Sequence, residues 1–215
     1  MDSFILLKIL YKRKWLLIFA MLLATICSYY MASQRPPTYS SESLISTGIM
    51  DYGVPTSTSA DNVYIQPYKI ESNFTNLIEI MKSRGSIDIL TTRLVLHDLQ
   101  NPMPFKNLEN VHQLFSLTEI QQSIQYFEIK TMSNFQTSFV SGNPNFKKQE
   151  KVAQEIANML SYDYQSLANS IDISRVPNAD FLKVRFTNGT PQLASFAVNT
   201  FSQEFIKYYT KLKDK

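Results

Sequence analysis

The sequence predicts an α+β fold: an N-terminal transmembrane helix, an α/β domain behind it, and a long heptad-type helix at the C-terminal end. Three observations carry this. An uncharged run of 19 residues, Trp15 to Ser33, directly follows the basic cluster Lys12-Arg13-Lys14. Two segments, Tyr39 to Ile49 and Phe181 to Phe186, alternate in the period of two that marks half-buried strands. Elsewhere apolar residues recur at three- and four-residue steps, the period of an amphipathic helix.

The first element is justified by length and by where the charges stop. A helix needs about 20 apolar residues to cross a hydrocarbon core of roughly 30 Å. Lys12, Arg13 and Lys14 place the N-terminus in the cytoplasm, and Trp15, Tyr29 and Tyr30 stand where interfacial aromatic belts lie. The preceding Phe4 to Tyr11 is apolar apart from Lys8 and reads as a short helix embedded in, or leaning on, the inner face of the bilayer. A cleaved signal peptide requires small residues at its cleavage site, where Tyr29, Tyr30 and Met31 are bulky. A lipoprotein signal ending at Cys27 meets the large Ile26 where a small residue is expected. A buried helix of a soluble protein is rarely this long and this apolar. The reading is an uncleaved anchor whose partner is the lipid bilayer.

The formal charge of +3 on 215 residues sits entirely at the front, where Asp2 faces Lys8, Lys12, Arg13 and Lys14. From residue 33 onward there are 17 basic and 17 acidic side chains. This neutral external part lacks the clustered basic face that nucleic acid requires. Cys27 is the only cysteine and lies within the span, so no intramolecular disulfide exists and stability must come from core burial or assembly.

The remaining elements follow in order. Pro36-Pro37 fixes an extended exit, and Tyr39, Ser41, Ser43, Ile45, Thr47 and Ile49 share one face of a strand. Asp51 to Pro67, rich in Ser, Thr, Gly, Pro and Asn, is a loop. Phe74, Leu77, Ile78 and Met81 have helical spacing, Gly85 interrupts, and Ile87, Leu90, Leu94 and Val95 resume after Ser86 as cap, giving two helices or one broken helix to about Leu99. Asn101 to Lys106 turns on Pro102 and Pro104. Helical pieces are expected at Glu109–Phe115 and Thr118–Phe127, with a strand competing at Phe127–Met132. Gly142 to Asn145 is a turn, and Lys147 to Ala168 is a helix with Val152, Ile156, Met159 and Leu167 along one face. Ile171 and Ile173 alternate toward Val176, Pro177-Asn178 turns the chain, and Leu182, Val184 and Phe186 alternate in the next strand. Thr190 caps a last helix with Pro191 at its first position. On it Ala194, Val198, Phe201, Phe205, Tyr208 and Leu212 form a heptad seam for helix packing or oligomer contact. The domains are thus residues 1–14 cytoplasmic, 15–33 transmembrane, 34–190 an α/β domain, and 191–215 the start of a coiled-coil-like helix.

Catalytic signals are weak. Gly48 and Gly53 have the spacing of a phosphate loop, but Val54-Pro55 stands where Lys-Ser/Thr is required. His97 and His112 lack the i, i+4 partner that holds zinc on a helix, and surface positions account for both. There is no G-x-S-x-G elbow, and Cys27 within a bilayer is no solvent nucleophile. Glu150 and Glu155 read as a solvated helix face, since a perturbed acid needs burial and a partner. Phe201, Phe205, Tyr208 and Tyr209 suit helix packing better than sugar platforms. No catalytic residue, metal ligand or cofactor is expected.

The basic residues, the span, the proline-containing exit, YSSESLISTGI, NLIEIMKSRGSIDIL and DFLKVRFTNGTPQLASFAVNTFSQEFIKYY together resemble the N-terminal half of a Wzz-type polysaccharide co-polymerase, or chain-length determinant. The GumC-like exopolysaccharide branch is the nearest in pattern. The resemblance covers roughly residues 5–50, 72–100 and 171–213, and Asp180 to Tyr209 is its most specific piece. It implies a bacterial inner-membrane protein with a membrane-proximal periplasmic α/β base, a long helix projecting from it, a return to a second span, and several copies in a ring. It also implies a non-enzymatic role: regulating the length or export of an exopolysaccharide, capsule or O-antigen beside a polymerase or an outer-membrane export protein. The chain departs from the pattern by ending at Lys215, before the hairpin and second span, as a fragment or a shortened relative would. No motif of the tyrosine kinase that some members carry is present. The alternative is a membrane-anchored periplasmic sensor or adaptor, which would need a cytoplasmic output module beyond the 14 residues before the span.

Overall fold

The computed structural model describes residues 14–34, 37–49, 67–132 and 144–213. Lys12, Arg13, the segment Phe4 to Tyr11, residues 51–66 of the expected loop, and Gly142-Asn143 of the expected turn lie outside them. The chain divides into two units, Met1–Thr38 and Tyr39–Lys215.

In the first unit α1 spans Lys14–Ser33. It is long and apolar enough to cross a membrane by length and composition, and its described side chains are exposed. The Thr25 hydroxyl donates to the Met21 carbonyl at 2.8 Å, which satisfies it within the helix.

The second unit mixes helix and sheet. β1 (Tyr39–Ser46), β2 (Ile171–Arg175) and β3 (Phe181–Asn188) form an antiparallel sheet in the order β1-β3-β2. Register is set by the apolar alternation: Ile45 faces Leu182, and Ile173 faces Val184. These four, with Phe186, are buried on one sheet face, whereas Leu44 on the opposite face is 61% exposed. Asn178 adopts φ 56° in the β2–β3 turn, a conformation asparagine tolerates, and the Val176 N–H closes the turn on the Phe181 carbonyl at 3.0 Å. The end of β1 is tied to the start of β3 through Asp180, whose carbonyl accepts from the Thr47 N–H at 3.0 Å and whose carboxylate accepts from the Ile49 N–H at 3.1 Å.

Helices cover the buried sheet face. α2 (Pro67–Lys82) is followed by α3 (Arg84–Gln100). The break predicted here is real, but Ser83 rather than Ser86 is the cap: its extended backbone stops α2, and its hydroxyl accepts from the Ser86 N–H. Ser86 is buried and donates instead to the Ile80 carbonyl at 2.8 Å. Gly85 lies in the first turn of α3, where an added Cβ would approach the Tyr208 hydroxyl to 3.5 Å. α3 is buried on nearly every side, with Ile87, Leu90, Leu94 and Val95 all at or below 2% exposure, which makes it the central element of the core.

α4 (Glu109–Leu114) and α5 (Leu117–Met132) follow. The strand considered at Phe127–Met132 does not form; these residues continue α5. The helix is nucleated upstream by a reciprocal cap in which the Ser116 N–H donates to the Glu119 carboxylate at 3.0 Å and the Glu119 N–H donates to the Ser116 hydroxyl at 3.4 Å. These hydrogen bonds hold the Glu119 carboxyl below its ordinary pKa. Ile120, Ser123 and Phe127 then bury one face at helical spacing.

The single helix expected from Lys147 to Ala168 is two: α6 (Pro144–Met159) and α7 (Tyr164–Ser170). Ser161 takes φ 57°, its N–H bonds the Asn158 carbonyl at 3.0 Å, and the Tyr162 N–H bonds the Ala157 carbonyl at 2.8 Å. This is a Schellman stop with serine at the left-handed position. Asp163 then caps α7, accepting from the Ser166 N–H at 2.9 Å. The break shifts the expected face: Ala153, Ile156, Ala157 and Leu160 are buried, while Met159 is 37% exposed. Finally α8 (Pro191–Lys213) opens with the Ala194 N–H bonding the Thr190 carbonyl at 3.0 Å and packs on β1, β3 and α3.

Candidate functional site

The residues singled out from the sequence fall into two groups. In the first, Lys14 opens α1 and Trp15, Tyr29 and Tyr30 are exposed near its two ends. In the second, Ala194, Val198, Phe201 and Phe205 of α8 are each at or below 3% exposure. Tyr208 packs half-buried against the same core, while the Leu212 side chain lies outside the described residues. The heptad spacing of α8 is therefore spent on its own sheet and on α3, with Phe201 and Phe205 stacked at 6.3 Å between ring centroids. Exposed residues of α8, among them Ile206 at 50%, lie on other faces of the helix.

Sequence reasoning missed a buried polar centre at the C-terminal end of α3. Asp98 is 0% exposed. Its Oδ1 accepts from the Phe105 N–H at 2.9 Å and its Oδ2 from the Lys106 N–H at 3.2 Å, which folds the loop after α3 back onto the helix. The Tyr162 hydroxyl donates to Oδ2 at 2.7 Å from the α6–α7 junction. Burial above all, and then the Asp98 carboxylate, pushes the Tyr162 pKa far above its ordinary value, so the hydroxyl remains a donor. His97 lies 3.2 Å from Asp98 Oδ1 through Nδ1, stacks on Phe105 at 4.1 Å and tilts against Phe196 of α8 at 4.6 Å. It is not the surface histidine expected; it wedges α3, the following loop and α8 together, whereas His112 is exposed. The signal for this centre was tertiary, since Asp98 and Tyr162 are 64 residues apart. Three donors and the neighbouring His97 ring converge on one carboxylate, which fulfils a structural demand. No group of metal-ligating side chains gathers among the described residues.

A second feature is a cleft of about 360 Å³ between α3, α5, α6 and the start of α7. Tyr126, Phe127, Ala153 and Ala157 form its buried floor. Its walls carry Arg84, Asp88, Gln154, Asn158 and Gln165. Glu150, expected on a solvated face, is half-buried, and its carboxylate acts on the Tyr126 hydroxyl beside the cleft. Burial first, then Glu150 and Asp88, push the Tyr126 pKa up to about 12, which keeps that hydroxyl protonated at physiological pH.

A family model described as Wzz, chain length determinant protein, matches residues 1–134, more than half of the chain. No curated protein and no solved structure shows a match. The matched segment runs through α5 and includes β1, but β1 pairs along all eight of its residues with β3, beyond the match. The sheet thus binds residues 171–213 into the same compact unit as the matched part.

Proposed function

This chain belongs to the Wzz chain length determinant family, and from that premise we propose that it is an inner-membrane polysaccharide co-polymerase that regulates the chain length or export of a surface polysaccharide. Members of the family are regulators rather than enzymes and work in polysaccharide polymerisation complexes at the inner membrane. In the proposed arrangement α1 crosses the bilayer with Lys12, Arg13 and Lys14 on the cytoplasmic side, and residues from 39 onward lie in the periplasm. Several copies assemble beside a polymerase or an outer-membrane export protein.

The observation that carries this reading is the family match across an apolar 20-residue helix and the helices and strand behind it. Orientation is supported by the charge asymmetry, basic before the span and balanced after it. Because Ala194, Val198, Phe201 and Phe205 are buried within the subunit, contacts between copies must use other faces of α8 or other elements. Deleting the gene in its natural host and resolving the surface polysaccharide by gel electrophoresis tests the role. Loss of the modal length is the expected result; a profile identical to the parent's rejects it.

A further inference from the structure

We propose that the cleft between α3, α5, α6 and α7 binds a short stretch of uncharged oligosaccharide, a segment of the polymer whose length the protein regulates. The ligand class rests on the chain-length role; the site itself rests on geometry. The floor is apolar and partly aromatic, with Phe127 and two alanines one helical turn apart, Ala153 and Ala157, where larger side chains would close the space. The wall above this floor is a mixed hydrogen-bonding set. Arg84 only donates, Asp88 only accepts, and the amides of Gln154, Asn158 and Gln165 do both.

A sugar presents the complementary chemistry: hydroxyls that both donate and accept, and a C–H face that packs on apolar or aromatic surface. Charges of both signs flank the cleft, with Arg84 and Lys130 near Asp88 and Asp163, so no single-sign field selects a phosphate or polyanion. Gln154, Asn158 and Gln165 are exposed, so their amides reach a ligand without first leaving the core. At about 360 Å³ the cleft lies at the small end of ligand sites, which span about 300–1,000 Å³, and so suits a short segment.

The test is isothermal titration calorimetry on the full chain in detergent micelles. The probe is oligosaccharide released by mild acid from the surface polysaccharide of the source strain, with maltohexaose and inorganic phosphate as controls. Saturable binding of the strain's oligosaccharide is expected, weakened at least about tenfold by the double substitution Gln154→Ala and Asn158→Ala, with the thermal midpoint unchanged. No saturable binding, binding indifferent to the double substitution, or equal competition by phosphate overturns the proposal. A strain carrying the double variant should lose the parental length distribution. If it keeps that distribution while the deletion strain loses it, the cleft assignment fails and the regulatory role stands. If deletion has no effect on length, the role fails, and the titration still reads the cleft by itself.

Discussion

Removing one oxygen from the Asp98 centre should cost the protein a substantial part of its stability. Tyr162→Phe deletes the hydroxyl that donates to Asp98 Oδ2 at 2.7 Å in a site where the tyrosine is 1% and the aspartate 0% exposed. A hydrogen bond to a charged group contributes about 1.5–3 kcal/mol net. Asp98 retains the Phe105 and Lys106 amides and the His97 ring, so the carboxylate is weakened rather than stranded. We therefore expect a loss of about 2 kcal/mol. For a domain of this size each kcal/mol moves the thermal midpoint by roughly 2–4 °C, so a drop of roughly 4–8 °C should follow. The assay is thermal unfolding of the full chain in detergent micelles followed by far-ultraviolet circular dichroism. Asp98→Asn combined with Tyr162→Phe completes a cycle in which the two changes should couple by about 1 kcal/mol or more. A Tyr162→Phe loss below about 0.5 kcal/mol, or strict additivity, would refute the claim that this pair joins the end of α3 to the α6–α7 junction.

Other expectations follow from single contacts. Phe201→Ala, at a 2% exposed position of α8, should cost about 3–5 kcal/mol in the same melt, whereas an α8 seam reserved for other copies would leave subunit stability almost untouched. Ser161→Gly relieves a left-handed serine at φ 57° and should stabilise by up to about 1 kcal/mol in urea unfolding. Asp163→Ala removes the α7 cap and should cost about 1 kcal/mol. The hydrogen bonds from Ser166 lower the Asp163 pKa from 3.8, so its contribution is present above the unfolded value and lost as pH falls through the folded one. An acid titration of stability in which Asp163→Ala matches the parent at pH 7 would sink that assignment. The Tyr126 pKa is raised instead, from 10.0 to about 12, so its contribution is complete below pH 10 and erodes across that interval, a loss Tyr126→Phe should not show.

What the sequence made legible was set by local periodicity. The strands around Leu182, Val184 and Phe186, the turn at Pro177-Asn178 and the proline that opens α8 each follow from neighbouring residues, and the structure has them where the pattern places them. Helix breaks were harder because their chemistry was not the commonest. The α6 stop uses serine where glycine is usual, so no breaker residue marked it, and the α3 cap lies three residues before the expected Ser86 because Gly85 is accommodated inside the first turn. The Ser116-x-x-Glu119 cap was readable and would have settled the competition between helix and strand in α5. The Asp98 centre and the cleft were not readable, since both bring together side chains from four or more segments. The α8 seam shows the limit of periodicity: a repeat of 4, 3, 4 says that a helix has an apolar face, and only the tertiary structure says that its own sheet and α3 cover that face.

The most direct test of a regulator of chain length is to restore the protein in graded amounts to a deletion strain and measure both the length distribution and the total amount of surface polysaccharide. The account predicts that the distribution sharpens toward its parental mode, or that the amount reaching the surface rises toward the parental level, as the protein rises. A strain whose length distribution and surface amount are both indifferent to the protein's amount would contradict it.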